Sequence, residues 1–570
     1  MPSATDATEL TGPTRRERWT LWVVAALVAA VVLAPLAAPG YALLYDMVFV
    51  PRQPLSWQLV APADSLPRAV PMDAVVSLVT QVVPGWLVQR LALAGAVVLA
   101  AVGAGHLVPT RRRAVRVLAA VGYAWTPYLA ERLLIGQWGL LLAYAALPWI
   151  VRAALGLRAG RAGALPRLVL AAAPAALTPT GGLLAFATVA LLVPVRGRPR
   201  SSLLALGALL ALNAPWLVAA LTTGAGGTSD PAGVAAFAAR AENWAGPLAA
   251  LAGTGGIWSA QATPGSRSAA LVPLATLVLL AVAAFGAGPL RRRLPPGVAL
   301  RLGVLAGGGF VLAALGTLPV AADVLRWAVL HVPGAGLLRD GQKFLAGYVL
   351  PLVLCAALGV ERLVARWDRD LAALVLGGAV LLPVAVLPDL AFGGAGRLRP
   401  VSYPADWHRV AVLTADEPGV VLALPLSAYR AYPWNAGRVV LDPLPRYLSA
   451  EVLTDDTLPV GGVTVAGENR RVGELRRLLR DGRPVAGTGV RWVVVQHGSG
   501  GAVDPAWLTG LEKVHEGPSL TLYRDPSGPV GAPAEGPGPA RWAVVAALGT
   551  ALLVVGFAAL SALRRRATRW

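Results

Sequence analysis

GYALLYDMVFVPRQPLSWQLVAPADSLPRAVPMDAVVSLVTQVVPGW, residues 40–86, is the stretch on which the reading of the fold turns. It follows the first long apolar run and carries the first carboxylate beyond that run, Asp46. A Pro-broken polar loop comes next, and then a short apolar segment from Pro71 to Trp86. Flanked by Tyr45, Met47 and Phe49, Asp46 sits a few residues past an expected bilayer boundary. Partial desolvation there suits a carboxylate to take a proton. The plainer reading is an interfacial anchor with a belt of aromatics.

On both sides of this loop the chain is strongly apolar. Hydrophobic residues make up 56% of its 570 residues, and mean hydropathy is +0.62. Apolar runs of roughly twenty residues recur, the length a helix needs to cross a bilayer core. This is a polytopic helical membrane protein, mainly α. A net charge of +20 would point to nucleic acid in a soluble chain. Here the arginines fall in short blocks between apolar runs, as topology signals do, so no nucleic-acid partner is expected. The single cysteine, Cys355, lies inside an apolar run, which excludes a disulfide, a zinc-cysteine site or a thiol pair.

About twelve spans are expected, near 19–38, 91–108, 114–130, 138–156, 167–179, 181–195, 202–222, 269–288, 299–318, 344–361, 371–388 and 541–562. Behind the basic TRRER of 14–18, the first fits an uncleaved anchor or a signal peptide ahead of the small residues of LAAPGYA, and its length favours the anchor. Basic blocks at 111–116, 152–167, 196–200, 291–293, 362–369 and 564–569 then all fall on the side of the N-terminus. Plasma-membrane localisation is expected, with both termini cytoplasmic and the acidic, aromatic and Pro-rich loops outside. In GGGF, 307–310, small residues inside a span serve helix packing.

Composition changes after the eleventh span. The expected organisation is a transmembrane part over 1–388, an extracytoplasmic α/β domain over 389–538, and a last span with a basic tail over 539–570. ADWHRVAVLTAD and VGELRRLLRDG have helical spacing, the latter stopped by Gly482. GVVLALPL, GVRWVVVQHG and SLTLYRD read as strands, and DPSGPVGAPAEGPGPAR at 525–541 as a flexible tether.

Polar chemistry concentrates at few other places. Glu131 and Arg132 end WTPYLAER, with Gln137 and Trp138 close behind. Arg339, Asp340, Gln342 and Lys343 form the densest polar group of the apolar part. Cations on the outer side run against the positive-inside trend, and Arg as a fork and Lys as a point charge suit a phosphate. The plain reading is a boundary cluster that snorkels. Arg326 and His331 fall on the same expected surface, and Trp244 and Trp258 in the outer segment 223–268. His408, His497 and His515 lack ligand-like spacing, so no metal set is readable.

YALLYDMVFVP, PMDAVVSLVTQVVPGWLVQR and WTPYLAERLLIGQWGLLLAYAALPW resemble actinobacterial polytopic glycosyltransferases of the GT-C type. They are similar in particular to the membrane half of α-(1→3)-arabinofuranosyltransferase-like proteins. The likeness covers residues 18–160 best, with HVPGAGLLRDGQKF and YPADWHRV as further shared segments. It implies a first outer loop with an acidic residue, then a helix along the membrane. It also implies transfer on the outer face from a polyprenyl-phosphate sugar to an envelope glycan or glycolipid. On that reading Asp46 is the catalytic base. Arg339, Lys343 and Arg132 bind the donor phosphate. The outer domain orients the acceptor, with Trp407, Tyr429, Trp434 and Trp492 as stacking faces. The loop has one acidic residue at the key place, not a DxD or ExD pair. Asp64 and Asp73 lie too far along to complete one, so Glu131 and Asp340 are the expected second acidic groups. No cofactor is specified, and a divalent metal is left open.

Two readings from other classes stand beside this one: a transporter or flippase of envelope lipid or glycan, and a non-catalytic envelope scaffold. Transporters hold ionisable groups at mid-membrane, whereas here mid-span polar residues such as Asn213 are sparse. Convergence of Asp46, Glu131 and the 339–343 group on one cavity favours the transferase, and scatter counts against it.

Overall fold

The computed structural model describes residues 13–62, 66–194, 197–223, 229–531 and 538–567, so Asp64 lies outside the described residues. Among these residues nine helices are long and apolar enough to cross a bilayer, from Arg15–Ala37 to Pro539–Arg565. The first starts where TRRER leads one to expect. The Thr14 side chain accepts from the Glu17 amide, and Glu17 reaches back to the Thr14 amide, closing a capping box.

The other three expected spans are shorter. Residues 114–130 fall in two helices, Arg113–Ala124 and Pro127–Leu134, broken at Trp125 and Thr126 before Pro127. The next two are the apolar helices Ala164–Leu177 and Pro179–Leu192. The turn Thr178–Thr180 between the last two lines a cavity.

The basic blocks meet at one end. Arg293 and Arg112 both face Glu361, and Arg158 and Arg301 both donate to the Pro194 carbonyl. The loops of 41–47, 131–138 and 339–343 gather at the other. Of GGGF, Gly309 is the packing residue: a Cβ there would lie 2.5 Å from the Phe344 carbonyl oxygen, while Gly307 and Gly308 face open space.

The C-terminal region is α/β. Strands β1 (Val421–Leu424), β2 (Val452–Leu453), β3 (Trp492–Gln496), β4 (Glu512–Glu516) and β5 (Leu520–Arg524) form one sheet in the order β4-β5-β3-β1-β2. β1 runs parallel to β2 and β3, and β5 antiparallel to β3 and β4. The central runs VLAL and WVVVQ are buried on both faces, which explains their unbroken apolar character. The helices Ala405–Asp416 and Arg470–Arg480 match their sequence periodicity. At the start of the expected tether, Asp525 accepts from the amides of Gly487 and Ser527, so the chain is anchored there.

This region is sewn to the first loop. Tyr41–Ala42 pairs antiparallel with Pro400–Val401. Around that pair Tyr403, Trp407, Tyr432, Trp434 and Tyr447 form an aromatic cluster with ring centroids 4.8–5.8 Å apart. One apolar core runs without interruption from Leu21 of the first helix to Leu522 of β5.

Candidate active site

Asp46 stands at the tip of a two-residue turn. The Met47 amide donates to the Leu44 carbonyl at 2.9 Å and the Leu44 amide to that of Met47 at 3.3 Å. Tyr45 takes φ +44°, a left-handed conformation that costs a non-glycine residue on the order of 1 kcal/mol and persists only where neighbours hold it. Two regions do so. The Asp46 amide donates to the Ile135 carbonyl at 3.1 Å. From the other side, Tyr45 exchanges backbone bonds with Val439 (2.7 Å) and Leu441 (2.8 Å). Gly136, at φ +84°, makes the approach possible, since a Cβ would lie 2.3 Å from the Met47 nitrogen.

Both carboxylate oxygens of Asp46 accept hydrogen bonds. The Tyr429 hydroxyl donates to Oδ1 at 2.5 Å, and Gln137 Nε2 donates to Oδ2 at 3.2 Å. Gln137 Oε1 in turn accepts from Arg132 Nη1 at 2.7 Å. The Arg132 fork then binds both oxygens of Asp340 at 2.9 Å, and Lys343 Nζ lies 3.4 Å from Asp340 Oδ2. A continuous chain of hydrogen bonds and ion pairs thus links Asp46 to Lys343 through Gln137, Arg132 and Asp340. Burial acts to raise the Asp340 carboxyl, but Arg132 and Lys343 outweigh it and hold it at about 2.

A cavity of about 390 Å³ opens over this chain, with Asp46, Arg68, Arg339, Lys343, Tyr429 and Arg446 in its wall. Trp138 and Trp258 add aromatic faces. Arg446 is held by a two-point pair to Asp73, with both bonds at 3.1 Å. Arg339 is poorly neutralised. Its guanidinium donates to the Gly336 carbonyl at 3.2 Å and lies 4.0 Å from Glu468. Burial, and then Arg68, push its pKa down, an environment in which an added anion is stabilising. Among the described residues no three His, Cys, Asp or Glu side chains gather as a metal-ligand set.

The site residues expected from sequence therefore divide. Asp46, Arg339, Asp340 and Lys343 share the cavity. Arg132 does not line it: its side chain is 0% exposed and locked to Asp340, so it supports the wall rather than meeting a phosphate. Glu131 lies behind the wall. It accepts from the Ile257 amide (3.1 Å) and from Gln342 Nε2 (3.0 Å). A Cβ on Gly255 would sit 2.7 Å from its Oε1 and 2.5 Å from Oε1 of Glu242. Burial, and then Glu242, raise the Glu131 carboxyl well above the usual range, and Arg267 holds Glu242 at 2.8 Å.

Trp407 is fully buried in the aromatic cluster and Trp434 is half-buried in it, and neither lines the cavity. The face of Trp407 is spent on packing the helix Ala405–Asp416, so it offers nothing to a sugar. Trp492 is likewise buried in β3. Arg326 pairs with Asp323 on the surface, and His331 stacks on Trp327, both away from the cavity. Sequence reasoning missed Arg68 and Arg446. Their signal is weak, since each pairs with a carboxylate hundreds of residues away in sequence, Arg68 with Glu468 and Arg446 with Asp73.

No protein-family model and no curated protein matches the chain. Solved structures do. A single-particle cryo-EM structure of arabinofuranosyltransferase AftD from Mycobacteria matches at TM-score 0.57 and 18% identity, covering 91% of this chain and 40% of that one. Two classes of a substituted form of the enzyme match at TM-scores 0.56 and 0.55, with 20% and 18% identity, covering 90% and 91% of this chain and 42% of theirs. The membrane fold is shared. The likeness read from residues 18–160 thus holds at the level of fold and extends over most of the chain, which spans about two fifths of the AftD structures' length, 40–42%.

Proposed function

We propose that this protein is a membrane glycosyltransferase of the cell envelope, moving a sugar from a polyprenyl-phosphate donor to a glycan or glycolipid acceptor on the outer face. The observation that carries this reading is the meeting, in one cavity of an AftD-like membrane fold, of Asp46 with Arg339, Lys343 and Arg68. The acceptor hydroxyl attacks the anomeric carbon from the side opposite the phosphate, and Asp46 takes its proton. The bond from that carbon to the phosphate oxygen breaks, and the electron pair leaves on the phosphate. Lys343, Arg339 and Arg68 stabilise the charge that develops there. Configuration at the anomeric carbon inverts.

The other residues fall in around that step. Asp340, pinned by Arg132, sets the position of Lys343. Trp138 and Trp258 offer stacking faces to sugar rings. Residues 389–538 act as an outer domain that closes the acceptor side of the cavity, with both termini of the chain in the cytoplasm. The test uses purified protein in nanodiscs, polyprenyl-phosphate arabinofuranose as donor and an arabinan fragment as acceptor. Transfer is expected, and Asp46→Asn should lower it by about 100-fold or more while leaving folding intact. No transfer by the unaltered protein, or full activity of Asp46→Asn, overturns the reading.

A further inference from the structure

Asp46 belongs to the first loop, yet its carboxylate is held by a side chain from the far end of the sequence. Tyr429 lies 383 residues later and donates to Oδ1 at 2.5 Å. It sits on the short strand Tyr429–Ala431, which pairs antiparallel with Val439–Leu441. The second of these strands is the one that bonds the backbone of Tyr45 on both sides, through the Val439 carbonyl and the Leu441 amide. One hairpin therefore grips the turn twice, by its main chain at Tyr45 and by the Tyr429 hydroxyl at Asp46. Ser427 fixes the start of the hairpin, its hydroxyl donating to the Tyr429 carbonyl at 2.7 Å.

From this we infer that Tyr429 is a positioning residue for Asp46, setting the rotamer of the carboxylate so that its free lone pairs face the acceptor hydroxyl. Each carboxylate oxygen has two acceptor sites. Tyr429 occupies one on Oδ1 and Gln137 one on Oδ2, so both oxygens keep a site for the incoming proton. With neutral donors on both oxygens the ring of bonds orients the group without supplying a counter-charge. Burial first, and then the negative charge of Asp46, raise the Tyr429 phenol well above its ordinary range, so it stays an O–H donor. The two donors differ in what else they do. Gln137 also ties Arg132, so its loss disturbs the ion-pair chain, whereas the Tyr429 hydroxyl has Asp46 as its hydrogen-bond partner and can be removed cleanly. The hairpin of the C-terminal region thus completes the geometry of the base as well as walling the cavity.

The inference rests on the proposed role of Asp46, and the experiment separates the two. Tyr429→Phe keeps the ring and its packing and removes one hydrogen bond to a charged group. It should lower kcat by about 10- to 100-fold, with KM for the polyprenyl-phosphate arabinofuranose and for the arabinan fragment within about twofold and a cooperative melting transition that shows the variant folded. In the Asp46→Asn background the same change should have no further effect, because a residue acting through Asp46 has nothing left to position. Wild-type kcat in Tyr429→Phe, equal changes in kcat and KM, or additive losses in the double variant each overturn the inference while leaving the role of Asp46 standing. Full activity of Asp46→Asn, or no transfer by the unaltered protein, overturns both.

Discussion

The segment Gly341–Arg366 has a carboxylate near each end, and the two are held in opposite ways. Just before it, Asp340 meets the two-pronged fork of Arg132, whose side chain is 0% exposed. Near its far end, about 30 Å along at 1.5 Å per residue, Glu361 meets Arg293 and Arg112, which are 41% and 45% exposed. The Thr110 hydroxyl completes that second site at 2.8 Å. The same chemical pair thus does two jobs. Desolvated and bidentate, it fixes the wall of a cavity, and removing one partner strands the other. With a carboxylate that is 10% exposed but arginines that are half in solvent, it staples helix ends together and is individually weaker.

Breaking the buried pair gives the largest effect. Arg132→Met leaves Asp340 without its fork and should destabilise the protein by about 3–5 kcal/mol, read as a fall in thermal unfolding temperature in detergent. The double change Arg132→Met with Asp340→Leu should recover much of the loss. The Asp340 carboxyl is held low, so the stability it contributes is present above the ordinary carboxyl range and is lost only as pH falls toward about 2. A cost below about 1 kcal/mol for Arg132→Met would erase the contrast between the two ends.

The next largest concerns the Asp46 turn, which sits at the same end. Gly136→Ala adds a Cβ where the Met47 nitrogen already stands and forces a left-handed residue to carry a side chain. Displacing the turn by even about 1 Å should cost transfer activity on the order of 100-fold. An unchanged rate would show that the turn tolerates movement.

A smaller effect lies behind the cavity wall. Glu131 faces Glu242, the Gln342 amide and the Ile257 amide, with the cations Arg132 and Arg267 nearby. Its raised carboxyl contributes stability that is fully present below the ordinary carboxyl range and is lost as pH rises from there through the raised value. Glu131→Gln reproduces the protonated acid in shape and donors. It should leave stability at acidic pH unchanged and flatten the decline that sets in above the ordinary carboxyl range, as followed by melting temperature against pH. A steeper decline in the variant would mean that Glu131 is ionised.

The smallest effect belongs to the opposite end. Glu361→Gln should cost about 1 kcal/mol or less, since its arginine partners are half in solvent. A loss equal to that of Arg132→Met would make the two ends alike.

How much of this was legible in the sequence follows from where each signal is written. Apolar runs and arginine blocks are local, so the nine long membrane helices among the described residues could be read directly, while the three shorter ones were overread as full spans. Asp46 stood out as a carboxylate next to an apolar run and the 339–343 group as cations against the positive-inside trend, and the cavity brings them together. The role of Arg132 could not be read, because a guanidinium facing a ligand and one locked to a carboxylate look the same until burial is known. Trp407 misled for the same reason: a stacking face and a core face share a residue type. Tyr429 was singled out as an aromatic face, whereas its hydroxyl is the part that touches Asp46. No periodicity announces a bond between positions 383 residues apart.

That separation also sets a clock. Synthesis at about 5–20 residues per second puts roughly 20–80 s between the emergence of Asp46 and that of Tyr429. Through this interval the turn at 44–47 lacks the strand at 439–441 that holds its left-handed residue, and Tyr41–Ala42 lacks Pro400–Val401. The nascent protein therefore spends its time in the membrane with helices in place and the base unaligned. Competence for transfer, on the proposed function, arrives only when the hairpin docks, near the end of synthesis.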